Sequence, residues 1–122
     1  MPHLVLDYTG NITQSIEFEA LFSSLHLMLC DFAGAEMGAC KSRAIKQDNY
    51  YIADGADNLA FVHLEISLLS GRSVTVKEQV GNAALALLKQ HFATAGHETK
   101  IQATVKITDM PAELYFKSIL SS

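Results

Sequence analysis

The chain opens with Met1-Pro2, and loss of Met1 would leave Pro2 with a free secondary amine. An amine at a chain terminus titrates near ~8, well below a lysine, so it can serve as an uncharged base close to neutral pH. Desolvation and neighbouring cations lower it further, because both disfavour the ammonium form. With Met1 attached the same nitrogen is an amide and has no basicity. Three cations are candidates to partner such a base. Arg72 stands in Ser70-Gly71-Arg72-Ser73, a turn running into a helix, where free backbone N–H groups also favour anions. Its guanidinium can hold a carboxylate at two points and stabilise charge developing on an enolate. Lys41 and Arg43 lie two apart in a strand-like stretch, so they face the same way, roughly 7 Å apart. The chemistry these types suit is proton transfer by Pro2 on a small carboxylate substrate, with Arg72 as the electrostatic partner, while Lys41 and Arg43 either bind the substrate or make a solvated face.

Other chemistries lack their residues. The five histidines, His3, His26, His63, His91 and His97, have no metal-ligand spacing; His63 and Glu65 share a strand face, which is too little for a site. No metal and no cofactor is expected, and the histidines read as structural or solvated. There is no phosphate loop and no nucleophile motif. Cys30 and Cys40 are too few for a disulfide framework and read as reduced, small apolar residues.

The 122 residues make one domain, 1–122, large enough for a sizeable core. A formal charge of −4 without any basic run argues against nucleic acid as a partner. The N-terminus lacks the basic-then-apolar order of a secretory signal. The most apolar helical stretch, Leu21 to Ala35, is too short, and too broken by His26 and Asp31, to cross a bilayer. A cytoplasmic protein without membrane partners is the expectation.

The elements that must position Pro2 and the cations follow from periodicity. His3 to Tyr8 alternates as a strand, placing Pro2 on the side of Leu4, Leu6 and Tyr8. Asn11 or Thr13 can cap a helix whose buried stripe is Phe18, Leu21, Phe22, Leu25, Met28, Leu29 and Phe32, closed by Gly34 and Gly38. Ala39 to Lys46 is a short second strand, and 47–58 a loop turning at Asp54-Gly55. The pattern then repeats. Ala60 to Leu69 is a strand with Val62, Leu64, Ile66 and Leu68 on one face. Ser73 or Thr75 caps a second helix, Thr75 with Glu78 fitting a capping box. Its stripe is Val76, Val80, Ala84, Leu87, Leu88 and Ala95, and Gly96 stops it. Lys100 to Thr108 alternates again, Pro111 ends it, and an aromatic and aliphatic tail follows with Tyr115, Phe116, Ile119 and Leu120.

Strand–helix–strand thus occurs twice, as pseudo-repeats of about 2–58 and 59–122. Two parallel βαβ units most simply share one four-stranded sheet with both helices on one face. The other face is expected to be apolar and open, which favours a homo-oligomer.

Pro2 at the head of a strand, the doubled βαβ unit and Gly71-Arg72-Ser73 resemble the tautomerase superfamily. Pro2-His3, Ser42-Arg43, Ala53-Asp54-Gly55 followed by Ala60-Phe61-Val62-His63, Gly71-Arg72-Ser73, His91-Phe92-Ala93 and Phe116-Lys117 extend the likeness nearly end to end, most nearly to its 5-carboxymethyl-2-hydroxymuconate Δ-isomerases. The resemblance implies an α+β, two-layer fold like that of macrophage migration inhibitory factor, with a mixed sheet. It also implies a homotrimer, and a cofactor-free isomerase in which Pro2, freed of Met1, moves a proton within an unsaturated polycarboxylate enol from aromatic degradation. Lys41 departs from the arginine expected there, keeping the charge but losing the planar fork, which leaves the substrate open. A phenylpyruvate-type tautomerase, or a non-catalytic anion-binding or assembly protein on the same fold, are the rival readings.

Overall fold

The computed structural model describes residues 2–93 and 99–121. Its elements are β1 (His3–Thr9), α1 (Phe18–Ala33), β2 (Lys41–Gln47), β3 (Leu59–Leu69), α2 (Val74–His91) and β4 (Lys100–Met110), with 3-10 turns at Met37–Ala39 and Ala112–Leu114. The sheet order is β2-β1-β3-β4. β1 and β2 are parallel, as are β3 and β4, and the two halves join through the antiparallel pair β1 and β3. The duplicated βαβ arrangement and the four-stranded mixed sheet are therefore present as expected.

Alternation along the strands decides which side is covered. On β1, Leu4 and Leu6 are fully buried, and on β3 so are Val62, Leu64, Ile66 and Leu68. Leu21, Leu25 and Leu29 of α1 and Val80, Ala84 and Leu88 of α2 close over them. The recurrence at three and four residues is what lets each helix present one apolar stripe to the sheet. Tyr8 lies on this side too, its ring 5.4 Å from that of Phe18. Pro2 is buried.

Several boundaries differ from the expected ones. Neither Asn11 nor Thr13 caps α1; the N-cap is Glu17, whose side chain makes no capping bond. Asn11 is occupied elsewhere, donating through Nδ2 to the Leu59 carbonyl at 2.7 Å. Phe32 falls off the buried stripe and is 46% exposed, because α1 ends one residue later. There Gly34 takes φ 66°, and the N–H groups of Gly34 and Ala35 both meet the Leu29 carbonyl. That left-handed turn is cheap only for glycine. Ala39 belongs to a 3-10 turn, so β2 begins at Lys41. Ser73 caps α2, its hydroxyl accepting from the Val76 N–H at 3.2 Å; Thr75 lies inside the helix, so the Thr75–Glu78 box does not form. Ala95, Gly96 and His97 lie outside the described residues.

The larger correction concerns the uncovered face. It is mixed rather than apolar: Val5, Ile45 and Phe61 lie on it among a majority of polar side chains. It carries Lys41, Arg43 and Gln47 of β2, His3 and Asp7 of β1, His63, Glu65 and Ser67 of β3, and Gln102, Thr104, Lys106 and Thr108 of β4. Cross-strand pairs satisfy many of them. Gln47 donates to Asp7 at 2.7 Å, His63 shares a bond with Thr104 at 2.6 Å, and Thr108 donates to Glu65 at 2.7 Å. Most of the apolar half of the alternation is spent under the helices, which leaves Val5, Ile45 and Phe61 among polar neighbours outside.

Thr9 ends β1 fully buried, its hydroxyl accepting from the Phe61 N–H at 3.1 Å. Thr9→Val keeps the shape but orphans that amide, so urea denaturation should show a loss of about 1–3 kcal/mol. An unchanged midpoint would mean the amide finds another partner.

Candidate active site

The pairing of β1 on both edges gathers the candidate residues at one end of the sheet. His3 is the partner of Lys41 on one side and of Ser67 on the other. The Lys41 N–H donates to the Pro2 carbonyl at 3.2 Å. Since β3 runs antiparallel to β1, its last residues arrive beside the start of β1, and the turn bearing Arg72 follows. Lys41 and Arg43 are both exposed and point to the uncovered side, while Ser42 between them faces α1 and shares a 2.6 Å bond with His26.

Arg72 is held more firmly than a surface arginine. Its Nε donates to the Ala33 carbonyl and its Nη1 to the Leu69 carbonyl, each at 2.9 Å. Ala33 ends α1, where unpaired carbonyls carry partial negative charge and welcome a cation. The guanidinium therefore fastens the end of α1 to the end of β3, with two of its nitrogens committed. Its charge stays at the Pro2 end of the sheet, but as a positioned dipole partner more than a swinging clamp.

The sequence reading missed His3 and the tail. His3 Nε2 lies 2.8 Å from the Tyr115 hydroxyl, and the rings meet edge-on with centroids 5.9 Å apart. A cavity of about 390 Å³ opens between the tail and β2, lined by Gly38, Lys41, Tyr115, Phe116, Lys117 and neighbouring residues. A larger cavity, about 590 Å³, lies at the other end of the sheet among Asn11, Tyr51, Asp48 and Asp57. Its two carboxylates would repel a polyanion, whereas the smaller cavity is cationic; of Pro2, Lys41, Arg43 and Arg72, Lys41 alone lines it. The signal that could have found it was Lys117 following the aromatic pair Tyr115-Phe116 close to the chain end.

The local field is visible in the histidines. Burial first, then the Lys41 and Arg43 cations, push the His3 imidazole below its ordinary value. Burial alone lowers His26. Cys40, before Lys41, is a half-buried free thiol; burial and the adjacent Cys30 push it up, away from thiolate chemistry. Cys30 is likewise free and half-buried rather than fully packed away. Among the described residues no cluster of three or more acids, histidines or cysteines could hold a metal, and no helix is long and apolar enough to cross a membrane.

Two βαβ units sharing one sheet, the first strand led by proline, are the architecture of the tautomerase superfamily. A model of the 5-carboxymethyl-2-hydroxymuconate isomerase family matches residues 2–119, and the chain belongs to that family. It is 26% identical over 117 residues to 5-carboxymethyl-2-hydroxymuconate Delta-isomerase of Escherichia coli, covering 96% of this chain and 93% of the relative. It superposes with TM-score 0.85 on the crystal structure of a 5-carboxymethyl-2-hydroxymuconate isomerase from Deinococcus radiodurans R1, at 28% identity, covering 96% of this chain and 88% of that one. A macrophage migration inhibitory factor-like protein from Entamoeba histolytica shares the fold at 16% identity and TM-score 0.67, over 96% of this chain and 95% of that one.

His26 gives a pH test. Unfolded, it titrates near 6.5; folded, it titrates lower. As pH falls through that window the unfolded chain takes up the proton first, so stability is lost on acidification. His26→Gln should flatten the fall in urea midpoint between about pH 7.5 and pH 5.5. An identical slope in both proteins would show that His26 titrates alike in both states.

Proposed function

We propose that this protein isomerises an unsaturated polycarboxylate enol of the 5-carboxymethyl-2-hydroxymuconate type, with Pro2 as the base and then the acid once Met1 is removed. The observation that carries the reading is the convergence of Pro2, Lys41, Arg43 and Arg72 at one end of the sheet, through the register of β1 with β2 and β3. Once Met1 is lost, a secondary amine beside cations is disfavoured as ammonium and so is available as a base near neutrality. It would take the proton of the 2-hydroxyl and return it to a carbon further along the conjugated chain, the enolate charge delocalising between the two steps.

Lys41, at the cavity, would bind a substrate carboxylate, with Arg43 one strand position beyond on the same face. Arg72 would contribute its field from a fixed place, stabilising negative charge without reorganising. No step in this route needs a metal or a redox group.

Assembly as a homotrimer is part of the proposal. The support is the tail, where Leu114 and Leu120 are 69% and 91% exposed, together with the resemblance to trimeric tautomerases. Large apolar side chains in one short segment favour cover by another chain. A cytoplasmic location is proposed as well, on the two free cysteines.

The test is ultraviolet decay of the dienol substrate with Met1-processed protein. Pro2→Ala, with processing verified by intact mass, should lower kcat by about 10²- to 10⁴-fold, the usual worth of a positioned acid–base group. A rate equal to the parent's would refute the proline mechanism, and faster turnover of phenylpyruvate enol would move the substrate elsewhere. Native mass spectrometry of the same samples should return three chains; a monomer would remove the trimer.

A further inference from the structure

Every residue of 111–121 is exposed except Tyr115. The segment's own backbone bonds, Leu114 N–H to the Pro111 carbonyl and Tyr115 N–H to the Ala112 carbonyl, fold its first turn. The Tyr115 side chain reaches across to the sheet. Its hydroxyl is 2.8 Å from His3 Nε2 and its ring packs edge-on to the imidazole at 65°. His3 follows Pro2 in sequence and is the strand partner of Lys41. The contact therefore joins the C-terminal segment to the point where β1 and β2 begin.

Tyr115 also lines the cationic cavity. Phe116, Lys117, Ser118 and Ile119 make one wall, and Gly38 and Lys41 the other.

We propose that Tyr115 is a positioning residue, whose bond to His3 holds the C-terminal segment against the start of β1 and β2 and so builds the second wall of the carboxylate-binding cavity. The tether stands on its own geometry; its consequence for turnover rests on the isomerase reading above. Because Tyr115 meets His3 and not the reacting atoms, it should govern how well substrate is held and leave the proton-transfer step alone.

Tyr115→Phe retains the ring and removes only the hydroxyl. By hydrogen–deuterium exchange on the intact, Met1-processed protein, residues 112–121 should exchange about five- to tenfold faster than in the parent, the size of one lost hydrogen bond. Exchange in β3 should not change. KM for the dienol should rise by about the same factor with kcat within about twofold, and calorimetric binding of succinate should weaken in parallel. Unchanged exchange in 112–121 overturns the proposal, as does a fall in kcat at constant KM. If the parent protein isomerises nothing, the isomerase reading fails while exchange and succinate binding still decide the tether.

Discussion

Strand β1 is hydrogen-bonded along both edges, parallel to β2 on one side and antiparallel to β3 on the other, and the candidate site depends on that arrangement. A parallel neighbour begins where β1 begins; an antiparallel neighbour ends there. One short strand thus collects the start of β2 with Lys41, the end of β3 with the Arg72 turn, the end of α1 and the start of α2. Pro2 sits at the meeting point because it precedes the strand. A shift of register by one residue would turn Leu4 and Leu6 out of the core, so the burial of those two leucines also fixes where Pro2 lies.

The site's charge runs against that of the whole chain. The protein is acidic overall, at −4, yet the Pro2 end presents Lys41, Arg43, Arg72 and Lys117. Acidic groups are not excluded from it, since Lys77 in the first turn of α2 is paired with Asp109 at 3.1 Å. The cations differ in what holds them. Arg72 is bonded to two carbonyls, so its position belongs to the fold. Lys41 donates its ammonium to the Ala39 carbonyl at 3.1 Å and is otherwise open to the cavity. A fixed charge suits stabilisation of a developing enolate, and a mobile one suits capture of an incoming carboxylate.

Much of the fold could be read from the sequence because its alternation is strict. Val62, Leu64, Ile66 and Leu68 leave little choice about which face of β3 is buried. The polar positions of the uncovered face are also written there, in Lys100, Gln102, Thr104 and Lys106, beside the apolar Val5, Ile45 and Phe61. Other features depend on tertiary meetings that no local pattern encodes. Asn11 looked like a cap, but the Leu59 carbonyl lies within its reach. Arg72 looked like a free anion clamp, but the ends of α1 and β3 converge on it. His3 and Tyr115 are 112 positions apart, and neither is unusual until the sheet brings the chain's two ends together.

The proposed mechanism needs the nitrogen of Pro2 to be a neutral base at working pH. Selective ¹⁵N labelling of proline in Met1-processed protein lets that nitrogen be titrated by NMR and set against the acid limb of kcat/KM for the dienol. The account predicts one titration, below the ordinary terminal-amine value near ~8, seen by both probes. An amine that titrates above that value, or an acid limb that follows a different group, would contradict it.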